Sequence, residues 1–509
     1  MMPPPASTVN TLYCATMQAT LAQIVEVEAT FTRALPAFVI SGLPNSAIQE
    51  SKQRVQSALQ NNGFSFPPLK ITINLSPADL PKSGSHFDLP MALLVALQKR
   101  SLEGKWFAFG ELGLDGRVKY NQAIFPMLLD IAIKEPHAHV IVPKLGEELF
   151  ALIPNLHFHY VENLQEALET ILYNTPATPQ KTQLAFESLE LQGQRYYYMR
   201  DFALDFKDVK GQELAKEAAL IAASGMHNII FEGSPGCGKS MVAKRMRYIL
   251  PPSTLSEMIE GVKLRILSHQ DSAYSPLRSF RNPHQSASKA SILGSTNASL
   301  PRPGEIALAH NGILFFDELP HFKRDVLESL REPMENNKLV ISRVHSKIEY
   351  NTSFLFIGAM NPCPCGNLMD KNKVCRCQER EIIAYKNRLS EPFLDRIDLF
   401  VQMASSREDV KSRVSSEALH QQMLEAFKMQ KIRGQSELNG KLQESQIEEF
   451  CLLTQEAQHL LDQAILRFNF SERAVHKSKK IARTIADLQR SEIIEKEHVL
   501  KALHFRKVA

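Results

Sequence analysis

Along the first third of the chain, short apolar runs alternate with longer amphipathic ones. FVISGL, KITINL and HVIVP have the length and β-branched content of strands, whereas NSAIQESKQRVQSALQ and FDLPMALLVALQK space their apolar residues at helical intervals. That alternation predicts an α/β or α+β domain over residues 1–175. Residues 176–200 lose periodicity and carry Pro, Gln and Thr, which reads as a linker. Over 201–403 apolar strands again alternate with helices, now separated by glycine and proline turns. From 404 to 509 the chain has few such residues, and SQIEEFCLLTQEAQHLLDQAI and SERAVHKSKKIARTIADLQ carry the 3.6-residue period, predicting an all-helical end domain.

Length supports several domains, because 509 residues exceed what one hydrophobic core comfortably serves. An apolar fraction of 44% and a charged fraction of 22% exclude a disordered chain. No apolar run approaches the roughly 20 residues of a membrane span, and the first residues lack a basic stretch followed by an apolar one. A cytoplasmic protein without membrane contact is expected. The net charge of +4 is too small to imply nucleic acid, but residues 461–509 hold eleven Lys/Arg against six Asp/Glu. The dense part, HKSKKIAR, is equally readable as a solvated helix face and as a polyanion-binding one.

NIIFEGSPGCGKSMVAKRM is a strand, a glycine-rich turn and a helix, matching GxxxxGK[ST] from Gly233 through Ser234, Pro235, Gly236, Cys237, Gly238 and Lys239 to Ser240. Backbone N–H groups at such a turn converge on phosphate oxygens. Lys239 is expected on the β and γ phosphates of ATP and Ser240 on Mg²⁺. Cys237 reads as a small side chain filling a variable position. GILFFDELP then delivers Asp317 and Glu318 at the tip of an apolar strand, Asp317 for Mg²⁺ and Glu318 to polarise the attacking water. SFLFIGAMN ends in Asn361, placed to sense the γ-phosphate. EPFLDRIDL puts Arg396 in a short turn suited to insertion into a neighbouring subunit's site, or to an internal ion pair with Asp395 or Asp398. Arg473 opens a helix of the end domain, where it is expected to contact nucleotide.

These stretches, together with AFVISGLPNSAIQESKQRVQSAL, NLSPADLPKSGSHFDLPMAL, PRPGEIALAHNGILFFDELP, AMNPCPCG and RLSEPFLDRIDL, resemble the magnesium-chelatase-related AAA+ proteins of the ComM/YifB type over essentially the full length. The resemblance implies an N-terminal domain similar to the Lon protease domain (ribosomal S5 domain 2-like, α+β), a central AAA+ parallel-sheet P-loop NTPase domain and a C-terminal helical lid. It also implies a homo-hexameric ring that moves along DNA and promotes branch migration in recombination or natural transformation. An ATPase that remodels a protein partner, as magnesium chelatase subunits do, is the alternative. PHQSAS and GST depart from the family's usual PHHTIS-like string and glycine triplet. In the Lon-like segment, His86 stands where the protease serine belongs, and Phe125 and Met127 occupy the neighbourhood of its lysine. A non-catalytic domain is therefore expected.

Lys239 and Asp317 lie 78 positions apart, against the roughly 30 of one βαβ unit, so an extra strand and a surface excursion must fit between them. SPLRSFRNPHQSASKASILGST offers Arg278, Arg281 and Lys289 as DNA phosphate contacts. KLVISRVHSKIEY offers Arg343, His345 and Lys347 at period two, expected on one face of a ribbon. Lastly, four of the seven cysteines fall within fifteen residues as Cys363, Cys365, Cys375 and Cys377. Two C-x-C pairs are expected to supply four thiolates to one structural Zn²⁺, ahead of unliganded thiols or disulfides. A loop stapled in this way, between the Asn361 strand and the Arg396 turn, is expected to hold the arginine in place.

Overall fold

The computed structural model describes residues 10–18, 20–64, 66–98, 100, 102–180, 184–270, 273–297, 300–343, 346–370, 373–404 and 414–506. They form two units. One comprises Met1–Ala185 with Arg265–Tyr274 and Thr296–Pro301; the other comprises Phe186–Leu264, Ser275–Ser295 and Arg302–Ala509. No described helix is long and apolar enough to cross a membrane.

The first unit is built on a mixed sheet of seven strands: β1 (Thr11–Gln18), β2 (Leu21–Thr32), β3 (Ala37–Ser41), β4 (Lys70–Ser76), β5 (Trp106–Ala108), β6 (Ala138–Pro143) and β7 (Leu156–Val161), in the order β3-β4-β2-β1-β5-β6-β7. The β1–β2 and β2–β4 pairs are antiparallel and the others parallel. Helix α1 (Ser46–Asn61) starts where the Asn45 side chain accepts from the Ile48 N–H. Helix α2 (Asp88–Ala96) is apolar all round and correspondingly buried on nearly every side.

The segment aligned with the protease nucleophile is packed as core. His86 is buried, its ring nitrogen 2.8 Å from the Ala15 carbonyl oxygen, and burial pushes its pKa down to about 4. Ser85 donates to Glu111 at 2.5 Å. The Lys82 ammonium donates to the Pro77 carbonyl rather than to a serine. Phe125 and Met127 are buried. No serine–lysine pair forms among the described residues of this segment.

The second unit holds a five-stranded, all-parallel sheet. Its strands are β8 (Ile229–Gly233), β9 (Phe280–Arg281), β10 (Ile313–Phe316), β11 (Leu355–Met360) and β12 (Leu399–Met403), ordered β9-β10-β11-β8-β12. All six residues of β11 and all four of β10 are buried, as expected for strands covered on both faces. The chain ends in helices α3 (Ser416–Ile432), α4 (Glu444–Phe450), α5 (Gln455–Phe468), α6 (Glu472–Leu488) and α7 (Lys496–His504). The apparently continuous periodic run around 445–465 is two helices, because Thr454 caps the second by accepting from the Ala457 N–H.

Two expectations change here. Part of the expected linker is a β-hairpin, Glu187–Leu191 with Gln194–Tyr198, which pairs onward with Ser253–Thr254. Alternation in ESLELQGQRYYY buries Tyr197 and sets Tyr196 edge-on to Phe427 at 5.0 Å. In the basic run on α6, three of the cations turn to partners within the fold. Lys477 and Lys480 donate to main-chain carbonyls, and fully buried Arg483 pairs with Asp487 at 3.1 Å.

Candidate nucleotide site

In a parallel sheet the loops leaving the carboxyl ends of the strands converge. Here those loops follow β8, β10 and β11. After β8 the turn needs φ of +80° at Gly236 and +100° at Gly238, values that glycine adopts without steric cost. A helix then starts at Lys239 (Lys239–Met246). The Lys239 ammonium lies 2.5 Å from the Gly233 carbonyl, 3.0 Å from that of Ser234 and 3.2 Å from Asn361 Oδ1. Burial lowers its pKa, opposed by Cys237 and Asp317 beside it. The Ser240 hydroxyl donates to Asp317 Oδ2 at 2.7 Å. Thus Lys239, Ser240, Asp317 and Asn361, scattered over more than a hundred positions, meet at one end of the sheet. Glu318 follows in the left-handed region at φ +53°, exposed, its N–H donating to Asp317 Oδ1. Such backbone is uncommon for a non-glycine residue and clusters at functional sites. Cys237 is buried, its Sγ 3.9 Å from Lys239 Nζ.

One contributor escaped the sequence reading. Gln212, at φ +60°, donates from its amide to the Cys237 carbonyl at 3.1 Å and that of Ala404 at 2.5 Å, tying the phosphate turn to the end of β12. Its only sequence signal is a polar residue between a glycine and a helix start.

Arg396 and Arg473 lie elsewhere. Arg396 precedes β12, whose register pairs Ile229 with Leu399 and Gly233 with Met403. Its carbonyl accepts from the Asn228 side chain at 2.9 Å, at the amino end of β8. Five residue steps of about 3.3 Å put this level roughly 16 Å from the phosphate turn, beyond the reach of one side chain. Arg473, expected near nucleotide, joins Arg396 instead, because both guanidiniums pair with Glu335, Arg473 at 2.5 Å. Neither Asp395 nor Asp398 takes the Arg396 side chain; Asp398 accepts from the Asn228 N–H at 2.8 Å and pairs with Lys477 at 3.5 Å.

The cysteine loop packs against the glycine-rich turn through Gly366. Gly366, at φ +79°, lies so close to Pro235 that an added Cβ would stand 2.5 Å from its Cδ. All four Sγ atoms fall within 4.8 Å of one another. Cys363–Cys365 is 3.4 Å, and Cys375 is 3.6 Å from each. Backbone N–H groups of Asn367 and Arg376 draw the exposed Cys365 thiol down to about 6.

Among the expected DNA contacts, Arg278 is corrected outright. Its guanidinium is buried and donates to the carbonyls of Pro251, Pro252 and Asn311 and to Glu257, a bracket inside the fold. Arg281 makes a two-pronged pair with Glu305 at 2.6 and 2.8 Å. Lys289 is exposed at the start of a short helix. His345 lies outside the described residues. The hairpin pairs Arg343 with Ser346 and Ser342 with Lys347.

Three family profiles match parts of the chain: magnesium chelatase subunit ChlI over 205–410, a second ChlI segment over 27–145, and the ChlI C-terminal segment over 413–506. Competence protein ComM of Haemophilus influenzae is 35% identical over 497 residues, covering 95% of each chain. YifB of Escherichia coli is 35% identical over 496 residues, covering 95% of this chain and 94% of its own. YifB of Salmonella typhimurium is 34% identical over 504 residues, with the same coverage. A glycine-rich turn leading a parallel sheet, and similarity over 95% of the chain, make this chain a member of the ComM/YifB family of magnesium-chelatase-like AAA+ ATPases.

Proposed function

We propose that this protein hydrolyses ATP in a ring of identical subunits and uses the energy to move on DNA, in recombination or uptake of the kind the name of its competence-protein relative points to. The observation that carries the reading is the division of parts between the two ends of one sheet. Lys239, Ser240, Asp317, Glu318 and Asn361 serve one subunit's own triphosphate and Mg²⁺. Arg396 and Arg473, at the far end, are out of its reach and complete the site of the next subunit. Lys239 and the turn's N–H groups hold the phosphates, Ser240 and Asp317 hold the cation, and Glu318 takes a proton from the attacking water. Lys289, Arg343 and Lys347 remain the candidate contacts to the phosphate backbone of DNA.

The four cysteines form a structural zinc site. A tetrahedron with Zn–S of about 2.3 Å has S···S edges of about 3.8 Å, close to the 3.4–3.6 Å separations among Cys363, Cys365 and Cys375, with the Cys377 sulfur within 4.8 Å of the others. Four sulfurs fill the coordination sphere, so the ion supplies rigidity rather than a reactive position.

Steady-state ATP turnover of the full chain, with and without single-stranded and forked DNA, tests the function. Stimulation by DNA that vanishes in Lys239→Ala is the expected result. Turnover indifferent to every DNA, but raised by a protein partner, would replace the DNA motor with a remodelling ATPase. Metal analysis before and after Cys363→Ser and Cys375→Ser tests the zinc site, which requires one equivalent in the parent.

A further inference from the structure

Glu335 was silent in the sequence, yet one carboxylate oxygen pairs with Arg396 and the other with Arg473. The Arg396 side chain is only 12% exposed in that position, and its Nε is buried without a hydrogen-bond partner. An arginine that must enter a neighbour's site is thus held inward. Its backbone is pinned independently: Asn228 donates to the Arg396 carbonyl, and Lys477 donates to the carbonyls of Asp395 and Ile397 on either side. The turn cannot swing as a loop without breaking these bonds, so the freedom left to Arg396 is that of its side chain. A cleft of about 210 Å³ lies in front of it, lined by Glu335, Arg396, Arg473, Lys477 and Lys480 among others.

We propose that Glu335 is a positioning residue that acts as a latch: its carboxylate stands in for the neighbour's γ-phosphate, keeping Arg396 and Arg473 paired and withdrawn until a subunit loaded with nucleotide displaces it. The inference rests on the proposal that these arginines act across the subunit boundary. A phosphate bearing more charge than a carboxylate competes for both guanidiniums, and handing them over takes a change of rotamer rather than a refolded loop. The latch raises the nucleotide concentration needed for turnover without entering the chemical step.

The test measures turnover by the full chain against ATP and against protein concentration, for the parent, Glu335→Gln, Glu335→Ala and Arg396→Ala. Freed from the carboxylate, Glu335→Gln should reach half-maximal turnover at about tenfold lower ATP, the size of one charge-assisted hydrogen bond, with kcat little changed. Glu335→Ala should shift it in the same direction. Thermal unfolding confirms that the variants are folded. An unchanged or raised half-saturation point in Glu335→Gln, while Arg396→Ala abolishes turnover, overturns the latch and leaves the shared site standing. Full turnover in Arg396→Ala overturns the shared site, and the latch with it.

Discussion

Gly366→Ala tests whether the cysteine loop braces the phosphate turn. At φ +79° an alanine costs about 1–2 kcal/mol in backbone strain alone. Its Cβ would also stand 2.5 and 2.6 Å from the Pro235 ring, and forcing atoms into filled space costs a further 1–3 kcal/mol or so. Only the second part is transmitted to the phosphate turn. If Pro235 yields, ATP binding should weaken by about 5- to 150-fold, the equivalent of that energy. Gly434 provides the control: its φ is +87° and a Cβ there meets nothing within 4 Å. Gly434→Ala carries the same strain without the collision, so its ATP affinity should match the parent's. Equilibrium binding of a fluorescent ATP analogue to the full chain reads both variants, with thermal unfolding to confirm folding. Parent-like affinity in Gly366→Ala would mean that the cysteine loop moves away instead, and would refute the bracing.

Glu318→Gln should bind nucleotide like the parent while turnover falls about 10²- to 10⁴-fold, the usual worth of a general base; turnover near the parent's would assign the proton to another group. Asp487→Ala strands the fully buried Arg483 guanidinium and should cost about 3–5 kcal/mol, seen as a lowered urea midpoint by circular dichroism. Stability should also fall with acid. Burial holds His86 and His227 down near 4, against 6.5 when unfolded, so between these values the unfolded chain binds more protons. Stability is therefore fully present above about pH 6.5 and drains as pH falls toward 4, by up to about 3 kcal/mol for each histidine. Urea midpoints at pH 7.5, 6 and 5 should decline in order, less steeply in His227→Gln; a flat series would contradict the burial argument.

The strands FVISGL, KITINL and HVIVP were legible because alternation and β-branching are local properties. The end domain's helical character was legible for the same reason. The hairpin at 187–198 was not, since flanking Pro, Gln and Thr hid five alternating residues on each side of Gln192-Gly193. Arg278 looked like a surface cation because nothing in its neighbourhood of sequence announces the three carbonyls and the carboxylate it meets. The basic run on α6 misled similarly: its partners come from the turn around Arg396, from Leu442 and from the helix's own later residues.

By itself the sequence marked out the glycine-rich turn, the acidic pair, the asparagine and the clustered cysteines as candidates, because each is a short contiguous pattern whose chemistry depends on residue type and spacing. Tertiary structure decided which of them meet. Strand order brings Lys239, Ser240, Asp317 and Asn361 to the carboxyl end of a sheet, seats Gly366 against Pro235, and strands Arg396 and Arg473 on Glu335 at the other end. The reason is distance along the chain: contacts between residues a hundred positions apart follow from how whole strands and helices pack, and no local pattern encodes them.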